Sequence, residues 1–373
     1  MNTLTMKSTA MFALPIRRTP WRPRHLRWVM QDMAGVARQP EQDHRTHLRA
    51  TLEWLCRAQD ASRDSGASGC VAAGFGFGPG WLPASADATG RLIETLVPAA
   101  TYLAWPLLED RARAMLDALL AQTDEASPGR IHGLIAGHAQ LGHGESLARA
   151  VCSAHALAET TMATAAQHAQ AAHALAAVGS LAGLPDLLDA ARHNLGRLLA
   201  RQTPCGWFPD TAGPVSTAML AGVLRNLIET ARLLGDSCAW QAASKVAHGM
   251  RGQMREDGRL AGAFDDGWMP AAPHVCVGGL AQLAGCFLRL AQLTQDAGWR
   301  DPAWRALAWI KRSQRTEGDD LALRDALPSA VPIWAGPAAF SFDALNAKYF
   351  VDALMMDMVG IVIPPEVQKV EPA

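Results

Sequence analysis

Two adjacent carboxylates, Asp265 and Asp266, sit in FDDGW (264–268), and His274 opens the apolar stretch that follows. Glycoside cleavage and epimerisation both need a carboxylate or imidazole set against the sugar ring, with one partner's pKa raised so that acid and base coexist. A histidine at such a helix start can act as acid or base near neutral pH, and the preferred alternative is a solvated loop imidazole. Neighbouring residues point apart, so the two aspartates cannot form a two-carboxylate machine by themselves. Their competing role is structural: a turn Asp bonding its own backbone ahead of Gly267. Trp81, Trp207 and Trp268 each follow a glycine, in GFGFGPGW (74–81), CGWF (205–208) and FDDGW. A flat indole stacks on a pyranose face while its N–H donates to a hydroxyl, and the same ring can instead plug the end of a core. Lys348 and Asp352 stand at i and i+4 in an apolar segment, a spacing that permits pairing. Charges in such a place are either paired or functional, and fold maintenance is the leading account here, with ligand binding second.

No metal or cofactor is expected. GFGFGPGW lacks the Lys-Ser/Thr with which a phosphate loop contacts phosphate and metal. His132, His138 and His143 are spaced by six and five residues, unlike the i, i+3 or i, i+4 spacing of helical zinc ligands. The seven cysteines include no CxxC pair and read as mostly buried thiols. Asp265–Asp266 and Asp319–Asp320 are bare pairs, short of the DDxxD or DxDD cluster that terpenoid or polyprenyl-diphosphate chemistry would use.

The chain has 373 residues, a formal net charge of -1 and 18% charged residues, below the roughly 25% of average soluble proteins. That balance argues against nucleic acid as a global partner. Mean hydropathy is +0.02, yet polar residues break the apolar stretches before the ~18 needed to span a bilayer. The basic start, with Arg17, Arg18, Arg22, Arg24 and Arg27, lacks the apolar core of a secretory signal. A cytoplasmic location is expected, with peripheral contact to the inner membrane through Arg17 to Arg27.

The elements that must position these groups are helical. Five amphipathic runs, 44–60, 109–124, 184–207, 237–258 and 301–318, each carry a Gln near their end (Gln59, Gln122, Gln202, Gln253, Gln314) followed by Gly or Pro, which is how helices stop. Between them lie less charged segments at roughly 90–107, 134–150, 160–178, 215–234, 274–295 and 341–357. Segments apolar on most sides are buried on most sides. Alternating inner and outer helices at these distances predict an all-α, (α/α)6-type toroid of helical hairpins. One hairpin within 125–183 is expected to be degraded, its outer helix shortened. The domain plan is a basic arm over 1–40, the toroid over 41–358 and a tail over 359–373.

The stretches EWLCRAQDASRDSG (53–66), GWLPASADATGRLIETLV (80–97), RQTPCGWF (201–208), EDGRLAGAFDDGWMP (256–270) and PIWAGPAAFSFDALNAKYFVDALMM (332–356) resemble bacterial (α/α) toroid proteins of exopolysaccharide and capsule loci. That group is similar in architecture to N-acylglucosamine 2-epimerases, glucuronyl C5-epimerases, unsaturated glucuronyl hydrolases and terpenoid cyclases. The resemblance implies carbohydrate processing or binding in exopolysaccharide synthesis: acid–base chemistry of epimerase, lyase or hydrolase type, on a uronic acid or amino sugar, if the protein is an enzyme. It also implies a non-catalytic alternative, a scaffold binding glycan or a glycosyltransferase. Asp265, Asp266 and His274 are then the candidate proton-transfer groups. Trp81, Asp87, Arg91, His138, Gln140, Trp207, Trp268, Trp334 and Lys348 are the candidate ligand contacts. The chain departs from the group's pattern at Ala86–Arg91, at Thr217-Ala218-Met219 and at Ala344-Leu345, and several of its polar inner positions have become apolar.

Overall fold

The computed structural model describes residues 22–34, 41–63, 66–122, 126–209 and 213–360. A short helix, α1 (Pro23–Met33), precedes twelve helices in two concentric sets. The outer set is α2 (His44–Arg63), α4 (Leu107–Ala121), α6 (Gly144–Ala158), α8 (Pro185–Leu199), α10 (Ser237–Gly252) and α12 (Arg300–Lys311). The inner set is α3 (Ala86–Leu103), α5 (Pro128–Leu141), α7 (Ala165–Ala182), α9 (Thr217–Leu234), α11 (Val277–Thr294) and α13 (Ala344–Val359). Each inner helix packs on its inner neighbours and on the outer helix that follows it. The ring closes where α13 packs on both α3 and α2. This is an (α/α)6 toroid, as the alternation of apolar and amphipathic segments predicts.

Local chemistry sets the boundaries. Ser85, Ser127, Thr164, Ser216 and Asp343 cap inner helices by accepting from backbone N–H groups of the first turn. Left-handed glycines end several of them, among them Gly183 and Gly235. Three small antiparallel sheets lie at the start of inner helices. They pair β1 (Gly74–Gly76) with β2 (Gly80–Trp81) and β7 (Ser341–Asp343), β3 (Val215–Ser216) with β4 (Ala263–Phe264), and β5 (Val275–Cys276) with β6 (Ala330–Val331). The inner-helix N-termini therefore share one rimmed mouth, and the β1–β7 pairing stitches the last repeat to the first.

Three of the five recurring glutamines have a common job, while Gln122 instead donates to the Cys70 thiol. Gln59 donates to the carbonyls of Gly69 and, on α4, Arg111. Gln202 donates to Gly206 and, on α10, Ala242. Gln314 donates to Asp325 and to Thr51 on α2, and its carbonyl meets His47. Each ties the end of one outer helix to its own turn and to the next outer helix, so the repeat read in the sequence is a hydrogen-bonding repeat.

Segment 134–150 differs from its expected reading, because it holds the end of α5 and the start of α6. Gly142 at φ +66° breaks it. The hairpin is present, and its outer helix α6 has the same 15 residues as α4 and α8. The shortening falls on inner α5, with 14 residues against 18 in α3, α7, α9 and α11.

Helices α3 and α5 meet backbone to backbone. A Cβ on Gly133 would stand 2.5 Å from Gly90 Cα, closer than packed atoms allow. Gly133→Ala is expected to cost about 1–3 kcal/mol, seen as a lower urea midpoint. Gly196, on the exposed side of α8 with open space around it, is the control: Gly196→Ala is expected to add about 0.5–1 kcal/mol.

Candidate functional site

Inner helices are covered on their outer side, so their polar residues collect along the axis. On α3, Asp87, Arg91, Glu94 and Thr95 recur at helical spacing. On α13 the same holds for Lys348, Tyr349 and Asp352, on α9 for Arg225, Asn226 and Glu229, and on α11 for Gln282, Cys286 and Arg289. Helices α5 and α7 add His132 and His173, whose rings lie 4.5 Å apart.

Lys348 is fully buried, and its Nζ donates to Glu94 Oε1 at 2.8 Å and to Asp352 Oδ2. Arg225 Nη2 stands 3.3 Å from the same Glu94 oxygen, and Thr95 donates to the other Asp352 oxygen at 2.7 Å. Glu229 receives Arg289 at 2.8 Å and Arg232 at 2.9 Å. Burial alone would raise the Glu94 carboxyl, but Lys348 and Arg225 outweigh it and hold that group well below the ordinary carboxylate range. At Asp352 burial prevails over the same two cations, and the carboxyl is raised. Burial, with the Arg225 charge nearby, pushes His173 down to about 4. Burial and the neighbouring His173 push His132 well below its ordinary value.

The deep half of the lumen is filled by these groups. Space among Arg225, Glu229, Gln282, Cys286, Arg289 and Asp352 amounts to about 30 Å³, room for water, whereas pockets for small ligands start at about 300 Å³. The mouth is more open. Asp87, 36% exposed, accepts from the Gly129 N–H at 2.7 Å and pairs with the buried Arg91 at 2.9 Å. On the opening turns of α9 and α13, Ala218, Met219, Gly222, Leu345, Asn346 and Tyr349 are half-buried. The Tyr349 ring lies 5.9 Å from the Arg225 guanidinium, and among the described residues its hydroxyl takes no hydrogen bond.

Of the residues singled out by sequence, Asp87, Arg91 and Lys348 come together along this axis. Asp265 instead accepts from the Gly267 and Met269 N–H groups, and Asp266 is exposed at the tip of that turn. The backbone-bonding role of a turn Asp describes Asp265, and among the described residues no lumen group is bonded to either aspartate. Trp268 lies against Gly249 of outer helix α10, and its N–H donates to Cys205. Trp207 is 5% exposed. Both therefore plug the core. Trp81 is half-buried against Trp54 and Phe75, and Trp334 is half-buried on the rim. His274 packs over Gly262 and Gly336, and burial lowers its pKa. His138 and Gln140 occupy the last turn of α5, at the end of the lumen opposite Asp87, each with a buried atom lacking a partner.

Glu94, Arg225, Glu229 and Arg289 were not singled out by sequence reasoning, and His132 was weighed there only as a metal ligand. The signal that marked Lys348 and Asp352, charge at helical spacing within an apolar segment, also marks Asp87/Arg91/Glu94 and Arg225/Glu229/Arg232.

No family model and no curated protein sequence matches the chain. Among solved structures it is similar to the unsaturated glucuronyl hydrolase of Bacillus sp. GL1 (TM-score 0.71, 12% identity, 88% of this chain and 100% of that one). It is also similar to the unsaturated glucuronyl hydrolase of Streptococcus agalactiae (0.67, 11%, 87% and 94%) and to a sugar epimerase from a ruminal bacterium (0.62, 14%, 84% and 99%). These likenesses establish the fold class, an (α/α)6 toroid.

Two measurements follow from the lumen. Lys348→Met strands two buried carboxylates and is expected to destabilise by about 3–5 kcal/mol in urea unfolding. Both lumen histidines have depressed folded-state pKa values, so between about 4 and 6.5 the unfolded chain binds more protons than the folded one at His173. Stability is expected to fall as pH drops through that window, and a melting temperature constant from pH 7 to 5 would refute the assignment.

Proposed function

We propose that this toroid binds a saccharide at the mouth formed by its inner-helix N-termini, with Asp87, Arg91 and Tyr349 as polar contacts and Met219 and Leu345 as an apolar floor. Trp81 and Trp334 shape the rim. The observation that carries this reading is the half-open Asp87–Arg91 pair above a lumen whose carboxylates are already matched by cations. The similar solved structures support the ligand class: one pairs its protein with dGlcA-Glc-Rha-Glc, and another is complexed with dGlcA-GalNAc6S. The resemblance to exopolysaccharide-locus toroids supports a setting in polymer synthesis beside a glycosyltransferase.

Binding comes first in this reading and catalysis second. Glu94, Asp352 and Glu229 are committed to Lys348, Arg225 and Arg289, which leaves Asp87, itself paired with Arg91 but open to the mouth, as the carboxylate within reach of a sugar. His274 on the rim is its candidate partner. Terpenoid chemistry has less support, because Asp320 bonds the Ala322 N–H in its own turn.

The test is a thermal-shift and calorimetric screen of acidic and neutral oligosaccharides on the wild type, Asp87→Asn and Tyr349→Phe. A saccharide at a hundredfold its Kd is expected to stabilise the wild type by about 2.7 kcal/mol. Tyr349→Phe should leave the free protein's stability unchanged while weakening binding by roughly 0.5–1.5 kcal/mol. Equal shifts in all three proteins would remove the mouth from the site.

A further inference from the structure

Helix α1 has two apolar faces. One is spent on the toroid: the His25 ring stacks on Phe77 at 4.2 Å, Trp28 meets Phe342 edge-on at 5.1 Å, and Val29 is buried. Asp32 fixes the helix further, accepting from the Ile333 N–H at 2.8 Å and pairing with Arg315. The other face carries Leu26, Met30 and Met33, which are 51, 61 and 66% exposed. At 100° per residue these three fall within an arc of about 60°, pointing away from the body. They are three of the eight exposed large apolar side chains among the described residues, and the other five are scattered singly over other elements.

Charge indicates what would cover this stripe. Arg22 and Arg27 are exposed beside it. Residues 1–31 hold Lys7, Arg17, Arg18, Arg22, Arg24 and Arg27 with no Asp or Glu, so this segment is +6 and the remaining chain is -7 (-1 minus +6). A nucleic acid would be met by the cations alone and would leave the leucine and methionines in water. An anionic bilayer satisfies both features, since its headgroups attract arginine and its acyl boundary accepts an apolar helix face. The acidic remainder would be repelled by the same surface, which orients the molecule with α1 against it.

We propose that the outer face of α1 docks the protein on anionic lipid bilayers, inserting Leu26, Met30 and Met33 between headgroups held by Arg22 and Arg27. The proposal is independent of what the mouth binds.

The test is co-sedimentation of the full chain with phosphatidylcholine vesicles, with or without about one third phosphatidylglycerol, at low and physiological salt. The expected result is binding to the anionic vesicles, weakened by salt. Arg22→Ala/Arg27→Ala should weaken it about thirtyfold, and Met30→Asp/Met33→Asp should abolish it. Both double variants alter exposed side chains, so an unchanged melting temperature shows that the fold is intact. The proposal is overturned if anionic vesicles are not bound, or if Met30→Asp/Met33→Asp binds as well as wild type. It is equally overturned if sedimentation in solution shows a dimer that this variant dissolves, since the stripe would then belong to a second copy.

Discussion

A toroid of repeats must join its last unit to its first, and here one ammonium group does so at the centre. Repeated hairpins contact only their neighbours, so α13 and α3, 254 residues apart at the linked side chains, have no local reason to meet. Lys348 takes Glu94 from α3 and Asp352 from its own helix. A cation buried without anions is prohibitively costly, and so the lysine dictates its surroundings: two carboxylates, then Arg225 on the Glu94 oxygen it shares with Lys348 and Thr95 on the second oxygen of Asp352. Shifting α13 by one helical step would leave those carboxylates stranded. The network therefore penalises every other register of the closing helix, something a lumen of Leu and Ala would do weakly.

That same closure limits what the interior can do. Groups that resemble catalytic acids when read one at a time are neutralised when read together, since Glu94, Asp352 and Glu229 each face at least one cation. Their pKa shifts fit structural ion pairs. Glu94 and Glu229 are lowered because the attraction of Lys348, Arg225 and Arg289 exceeds the cost of burial, while Asp352 is raised because burial there exceeds it. With about 30 Å³ of free space beside Asp352 and Glu229, the deep charges serve the fold, and under the proposed reading contact with a ligand falls to the mouth.

Much of the architecture was legible in the sequence, because helix period, stop signals and the recurring glutamine are local. The alternation of amphipathic and apolar segments gave the two concentric sets, and three of the five glutamines, Gln59, Gln202 and Gln314, proved to be bonds between outer helices. The α5–α6 boundary was lost because Gly142 and Gly144 interrupt an apolar run whose hydropathy does not change across the break. Partners far apart in sequence were lost for a different reason. Lys348–Asp352 is visible at i and i+4, but Lys348–Glu94 and Arg289–Glu229 depend on which helices become neighbours. Trp268 shows the converse: its glycine-flanked turn fits either a sugar platform or a core plug, and the position of Gly249 on α10 decides for the plug.

The apolar substitutions at the mouth gain meaning from the geometry. Met219 and Leu345 start α9 and α13, whereas Asp87 and Arg91 start α3, which packs on α13. One side of the mouth is thus apolar and the adjoining side carries a charge pair. A pyranose has a comparable division, with a C–H face and a rim of hydroxyls, and an indole or methionine surface complements the first as a carboxylate or guanidinium complements the second. Under the proposed reading, exchanging polar for apolar residues on α9 and α13 removes directed contacts to one face of the ring while keeping Asp87 and Arg91 for its edge. Such a site grips a sugar with few groups placed to transform it, which is why binding ranks ahead of catalysis for this chain.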